Sequence, residues 1–313
     1  MPAHRASAGD FPTFFSPGDI FVRFGIIDTM PRANTIRQPF TQEGIGIHSG
    51  TPSRVTVAPT SRGRGRIFRR DGIEIPALVD AVVDTRRCTT LGRHGVSIGM
   101  VEHLLAALLV SHVDDVEITV EGSELPALDG SALPWYSAIQ QAGVCPSGGE
   151  PLVLRLMDTQ WIDDEDSQFF LSPSRRLTLF GVLSIPETVA IDMAVGGTVE
   201  EPAVCAQILR ARTFGLEREV AVLLANGLAQ GGTLANAVVL TRDGYLNHTV
   251  WPREPAWHKI QDLLGDLALV GARIYGQIIA IHAGHRSHVA LARRLRAEMC
   301  ASSLPAVDGR TGH

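Results

Sequence analysis

Four cysteines are all that the 313 residues contain, at positions 88, 145, 205 and 300, and no two form a Cys-x-x-Cys pair. That scarcity argues against a structural zinc knot or a disulfide framework and suits a reducing cytoplasm. Basic charge is thin as well. Lys and Arg number 28 against 33 Asp and Glu, a formal net charge of −5, and no dense Lys/Arg run occurs. Such a chain offers no field for nucleic acid, although a few local cations suffice to hold a small anionic molecule. No run of about 18 apolar residues is present to span a membrane. Asp10, Pro12, Pro17 and Asp19 break any basic-then-apolar order at the N-terminus, so no secretory signal is expected. The expected setting is cytoplasmic, with a small molecule as partner and a monomer as the working form.

What is present is a folded chain with 45 % hydrophobic and 19 % charged residues, long enough for two cores. Its element order repeats. An apolar helix at about 99–112, an alternating strand at 115–121 and a helix at about 132–143 are predicted in the first half. A helix at about 257–270, a strand at 273–281 and a helix at about 286–300 are predicted in the second. Strand-like segments such as Ser53–Ala58 and Arg176–Phe180 precede each set. The fold class read from this order is α+β, two domains of similar topology produced by internal duplication, with the site between them. The expected boundaries are an extension without assigned role at 1–34, a first domain at 35–148, a second at 149–303 and a tail at 304–313. Pro146-Ser-Gly-Gly marks the joint. A strand-helix-strand insert is expected at about 216–250, its Leu, Val and Ala residues either lining an apolar channel or forming an ordinary core unit.

The chemistry concentrates on the two helices that occupy equivalent places. His258, Asp262 and Asp266 stack along one helical face at i, i+4 and i+8. Glu102 and His103 open the earlier apolar helix. Two imidazoles and a carboxylate, His103, His258 and Asp262, make a divalent-metal set with a position left for water, which such an ion acidifies into a nucleophile. Glu102 is the nearest general base. The segment Ile281-His-Ala-Gly-His285-Arg-Ser-His288 displays imidazoles after a strand, with His285 as proton donor to the leaving amine and Asp266 orienting it. Thr213 is a candidate oxyanion donor and Lys259 a cation for an anionic substrate group. On residues alone, a metal hydrolase and a non-catalytic metal-binding module both stay open.

Seven motifs occur in order: Gly44-Ile-Gly-Ile-His48-Ser-Gly, Asp84-Thr-Arg-Arg-Cys88-Thr-Thr-Leu, Val101-Glu-His-Leu, Leu128-Asp-Gly-Ser-Ala-Leu-Pro134, Ala211-Arg-Thr-Phe-Gly215, His258-Lys-Ile-Gln-Asp262-Leu-Leu-Gly-Asp266 and Ala283-Gly-His285. Together they resemble the UDP-3-O-acyl-N-acetylglucosamine deacetylases, zinc hydrolases of the committed step in lipid A synthesis, from about Thr35 to about Arg296. The resemblance implies hydrolysis of the substrate's N-acetyl group to give acetate. It implies His103, His258 and Asp262 as ligands of one Zn²⁺, with Fe²⁺ an alternative ion in the cell. It further implies Glu102 as general base, His285 as general acid backed by Asp266, Thr213 at the oxyanion, Phe214 in the substrate pocket and Lys259 near the diphosphate. Each domain of the family carries a small insert, the second forming an acyl passage, and Cys88 falls near the metal, where a second, inhibitory ion binds. The chain departs from the family at His288, where Asn is usual, and in the lead-in Trp251–Trp257. A zinc amidase acting on another N-acylated sugar is the remaining alternative.

Overall fold

The computed structural model describes residues 32–302. The expected extension, apart from residues 32–34, and the expected tail at 304–313 lie outside the described residues. Short strand β1 (Asn34–Ile36) leads into β2 (Phe40–Ile45), β3 (Pro52–Pro59), β4 (Arg66–Arg70) and β5 (Ile73–Pro76). Three short strands, β6 (Val82–Asp84), β7 (Thr90–Arg93) and β8 (Val96–Ile98), form their own antiparallel sheet. Helix α1 (Glu102–Val110), strand β9 (Val116–Glu121) and helix α2 (Leu133–Ala142) follow. The strands alternate as a one-sided sheet requires: Val55 and Val57 of β3, and Val116, Ile118 and Val120 of β9, face the core.

Beyond α2 run β10 (Val144–Pro146), which pairs with β1, then β11 (Val153–Arg155), β12 (Gln160–Asp164), β13 (Ser167–Ser172), β14 (Leu177–Leu183) and β15 (Met193–Thr198). Helix α3 (Pro202–Arg210) precedes β16 (Phe214–Leu216), α4 (Glu217–Ala225) and β17 (Val238–Leu240). Helix α5 (Glu254–Leu267), strand β18 (Arg273–Ile281) and helix α6 (His285–Ser302) close the described chain.

The two large sheets share one plan. The first has the order β2-β3-β9-β4-β5 and the second β12-β13-β18-β14-β15, so in each the last strand inserts between the second and third. Pairing senses also agree: β4–β9 and β14–β18 run parallel, and the remaining neighbours along both paths run antiparallel. Helices α1 and α5 each precede the strand that enters the sheet's middle. No helix among the described residues is long and apolar enough to cross a membrane.

Differences from the expected elements have local causes. α1 is shorter than the predicted 99–112 because Met100 (φ 58°) and His112 (φ 52°) adopt left-handed backbone that a helix cannot contain. α5 begins earlier, at Glu254, after left-handed Arg253 and with Pro255 in its first turn. α3 was not predicted; only Ile208 and Leu209 of its residues are buried, so its apolar period is shallow. The insert has the expected strand-helix-strand order, with β16 and β17 parallel. Its helix is exposed, α4 burying none of its residues and leaving Val222 62 % exposed, while Val238 and Leu240 of β17 are buried in the core.

α1 is apolar on all sides and almost wholly buried, the signature of a helix packed on several faces. α5 lies between α1 and strands β14 and β15. The closest approach falls at Gly265, where a Cβ would overlap the backbone oxygen of Glu102. That contact brings the start of α1 onto the last turn of α5.

Candidate active site

Glu102 is the first residue of α1, and the turn at Met100 delivers its carboxylate and the His103 imidazole into one cleft of about 260 Å³. From α5, His258, Lys259 and Asp262 line the same cleft, as does His285 from the first turn of α6. Thr213 and Phe214 join from the entry into β16, so eight of the nine expected site residues line one cavity. The ninth, Asp266, stands behind His285 and is fully buried.

His103, His258 and Asp262 present ligand atoms within 4.8 Å of one another. His258 Nε2 lies 3.2 Å and His103 Nε2 3.9 Å from Asp262 Oδ1. His258 is oriented from behind, its Nδ1–H donating to the Ala211 carbonyl at 3.0 Å, which leaves Nε2 with its lone pair toward Asp262. Asp262 Oδ1 is buried and has no hydrogen-bond partner, an arrangement that costs free energy unless a cation satisfies it. Its other oxygen accepts from Lys259 Nζ at 2.8 Å. Burial holds both imidazoles below their ordinary range, His103 down to about 3, so both are neutral and able to ligate. Although burial opposes ionisation of Asp262, His258, Lys259 and the other nearby imidazoles keep its carboxyl well below the carboxylate range. Two neutral imidazoles and one carboxylate with an orphaned oxygen fit a divalent cation.

The proton-carrying groups surround this set. His285 Nε2 lies 3.8 Å from Glu102 Oε1 and 3.7 Å from Asp262 Oδ2, while its Nδ1–H donates to Asp266 Oδ2 at 2.9 Å. Burial by itself would lower the His285 pKa, but Asp266, Asp262 and Glu102 outweigh it and raise it to about 9. Burial pushes the Glu102 carboxyl up to about 8, against the attraction of His285. The pair thus has an imidazolium facing a carboxyl group poised near neutrality.

Several contributors were not read from the sequence. Thr89 donates its backbone N–H to Glu102 Oε2 at 3.1 Å and its hydroxyl to Asp266 Oδ1 at 2.5 Å. Arg212 clamps fully buried Glu254 with Nε on Oε1 at 2.8 Å and Nη2 on Oε2 at 3.1 Å, tying the Thr213 segment to the start of α5. Thr213 N–H donates to the Gly130 carbonyl at 2.8 Å, and a Cβ on Gly130 would overlap the Asn236 oxygen. These partners lie far apart in sequence and carry no local signal. His288, noted as a departure, donates Nδ1–H to Asp266 Oδ2 at 3.0 Å. Cys88 is not among the His103, His258 and Asp262 group, and burial with the Glu102 charge pushes its thiol up to about 12.

Comparison with known proteins agrees with this geometry in extent and kind. Residues 33–297 match the family model described as UDP-3-O-acyl N-acetylglycosamine deacetylase. A protein of Leptospira biflexa named UDP-3-O-acyl-N-acetylglucosamine deacetylase is 35 % identical over 286 residues, covering 89 % of this chain and 94 % of that one. Relatives of the same name from Myxococcus xanthus, 35 % identical over 87 % of this chain and 89 % of theirs, and Chlamydia abortus, 35 % over 83 % and 95 %, agree. A match of this length at this identity, on a cleft that gathers the expected residues, makes the chain a member of the UDP-3-O-acyl N-acetylglycosamine deacetylase family.

Proposed function

We propose that this deacetylase hydrolyses the N-acetyl group of UDP-3-O-acyl-N-acetylglucosamine, releasing acetate, as the committed step of lipid A synthesis. The observation that carries the reading is the orphaned, buried Asp262 Oδ1 facing two neutral imidazoles, beside the Glu102 carboxyl and the His285 imidazolium 3.8 Å apart. His103, His258 and Asp262 would hold the ion, Zn²⁺ by preference of the donor set and Fe²⁺ as an accepted substitute. When bound, such an ion supplies a Lewis acid that acidifies a water and polarises the substrate carbonyl.

The chain's own residues supply the rest. Glu102 accepts a proton from the attacking water, a task suited to a carboxyl whose pKa lies near the working pH. His285, protonated and held by Asp266, gives a proton to the departing sugar amine. Thr213, whose backbone is fixed on both sides by Gly130 and Val238, offers its hydroxyl to the carbonyl oxygen as charge develops there. Lys259, its ammonium 5.2 Å from the Phe214 ring centroid, provides a cation for the nucleotide diphosphate. Met100, Leu183, Ile185 and Leu216 line the cleft toward the insert and suit the acyl chain.

The shared sheet plan supports an organisation into two duplicated domains at 35–148 and 149–303, and the free cysteines suit a cytoplasmic setting.

The test is acetate release from UDP-3-O-acyl-N-acetylglucosamine, with and without chelator, beside UDP-N-acetylglucosamine. Chelator-sensitive release from the acylated substrate alone is expected. Equal turnover of both would transfer the assignment to a broader sugar amidase, and no release from either would overturn the reading.

A further inference from the structure

We propose that Thr89 is a positioning residue for this reaction, holding His285 through the Asp266 carboxylate; the proposal rests on the deacetylase reading above. Asp266 is fully buried and receives three donors. Oδ2 accepts from His285 Nδ1–H at 2.9 Å and from His288 Nδ1–H at 3.0 Å, while Oδ1 accepts the Thr89 hydroxyl at 2.5 Å. Two imidazoles on one oxygen is a crowded arrangement, their ring centroids 6.1 Å apart. It persists only while the other oxygen is engaged. Without the hydroxyl, Oδ1 is left unpaired in a dry site, and the carboxylate gains by rotating to give each imidazole its own oxygen. His285 then loses its fixed direction toward the cleft.

Thr89 is placed for this work. It immediately precedes β7, is fully buried, and its hydroxyl bonds a side chain 177 positions away rather than a nearby carbonyl. Its oxygen also lies 3.3 Å from His285 Nδ1, within reach as a second acceptor for the same N–H. Its backbone N–H meanwhile fixes Glu102 Oε2 at 3.1 Å. One residue thus holds the proton acceptor directly and the proton donor at one remove. A side-chain substitution isolates the second arm, because the N–H to Glu102 stays.

The experiment compares metal-loaded wild type, Thr89→Val and Thr89→Ser by kcat, KM, metal content and Tm, with the imidazole N–H resonances of each followed by nitrogen-15 NMR. Thr89→Val is expected to lower kcat by about 10- to 100-fold, the usual scale for losing an outer hydrogen bond, with KM, metal content and Tm close to wild type. Thr89→Ser, which keeps the hydroxyl, restores kcat. In a His285→Ala background the Val substitution adds little to the loss already present. The His285 Nδ1–H resonance is expected to keep its wild-type position in Thr89→Ser and to shift in Thr89→Val, where the re-oriented carboxylate still accepts it in a new direction. An unchanged kcat in Thr89→Val, or equal losses in Val and Ser accompanied by falling Tm, would overturn the proposal. Should wild type release no acetate, the deacetylase reading itself fails, and the resonance still decides the Thr89 arm: unchanged in Thr89→Val, it refutes it.

Discussion

The two oxygens of Asp262 face different partners, Oδ2 the Lys259 ammonium and Oδ1 the imidazoles of His258 and His103. Replacing the carboxylate by an amide keeps the shape and removes the charge. Asp262→Asn is therefore expected to bind substoichiometric metal and to lose acetate release together, which metal analysis beside kinetics will read. Glu102→Gln separates the two properties: metal content is retained while kcat falls about 10²- to 10⁴-fold, the range for a lost general base. A metal loss in that variant would count against Glu102 as a group outside the ligand set. Cys88, buried and with its thiol pushed up to about 12, is expected to resist alkylation at pH 8 in the folded protein, whereas exposed Cys300 reacts. Mass spectrometry after brief alkylator treatment distinguishes them. At this scale the sequence was most legible where partners share a helix, as His258, Asp262 and Asp266 do. It was silent where the partner is remote, as for Thr89 with Asp266 or Arg212 with Glu254, because no spacing encodes a tertiary contact.

Elements are positioned by a few backbone constraints. The left-handed residues Met100 and His112 bracket α1, and Gly265 lets α5 approach its first residue. Gly265→Ala forces a methyl into the Glu102 backbone and is expected to destabilise the fold by about 1–3 kcal/mol, the usual cost of overpacking, with a fall in kcat as Glu102 is displaced. Unchanged denaturant midpoint and activity would show that the helices separate freely. Arg212→Ala leaves the fully buried Glu254 carboxylate without its guanidinium; a loss of about 2–3 kcal/mol is expected, below the full value for a buried pair because Arg212 is partly exposed. The long helices and the strands with strict alternation were readable from periodicity. α3 was not, since two buried residues leave little pattern, and the true ends of α1 were set by left-handed backbone at non-glycine residues, which sequence does not announce.

At the scale of the molecule, the α+β class and the repeated order of elements were legible, whereas the sheet order was not, because inserting the last strand between the second and third depends on long-range register. Buried residues of both halves form one continuous core cluster, which includes α1 and α5. A single calorimetric transition is therefore expected, and two separated ones would contradict it. The candidate ligands straddle that same contact, His103 on α1 and His258 with Asp262 on α5. An ion bound by all three favours the docked arrangement of the halves over any separated one, by about 4 kcal/mol when free metal exceeds its dissociation constant a thousandfold. Thermodynamic reciprocity then runs the other way as well. A substitution distant from the cleft that loosens α1 from α5 weakens metal affinity in proportion to the fraction of molecules it undocks, so inactivation can begin at the helix interface without touching a ligand.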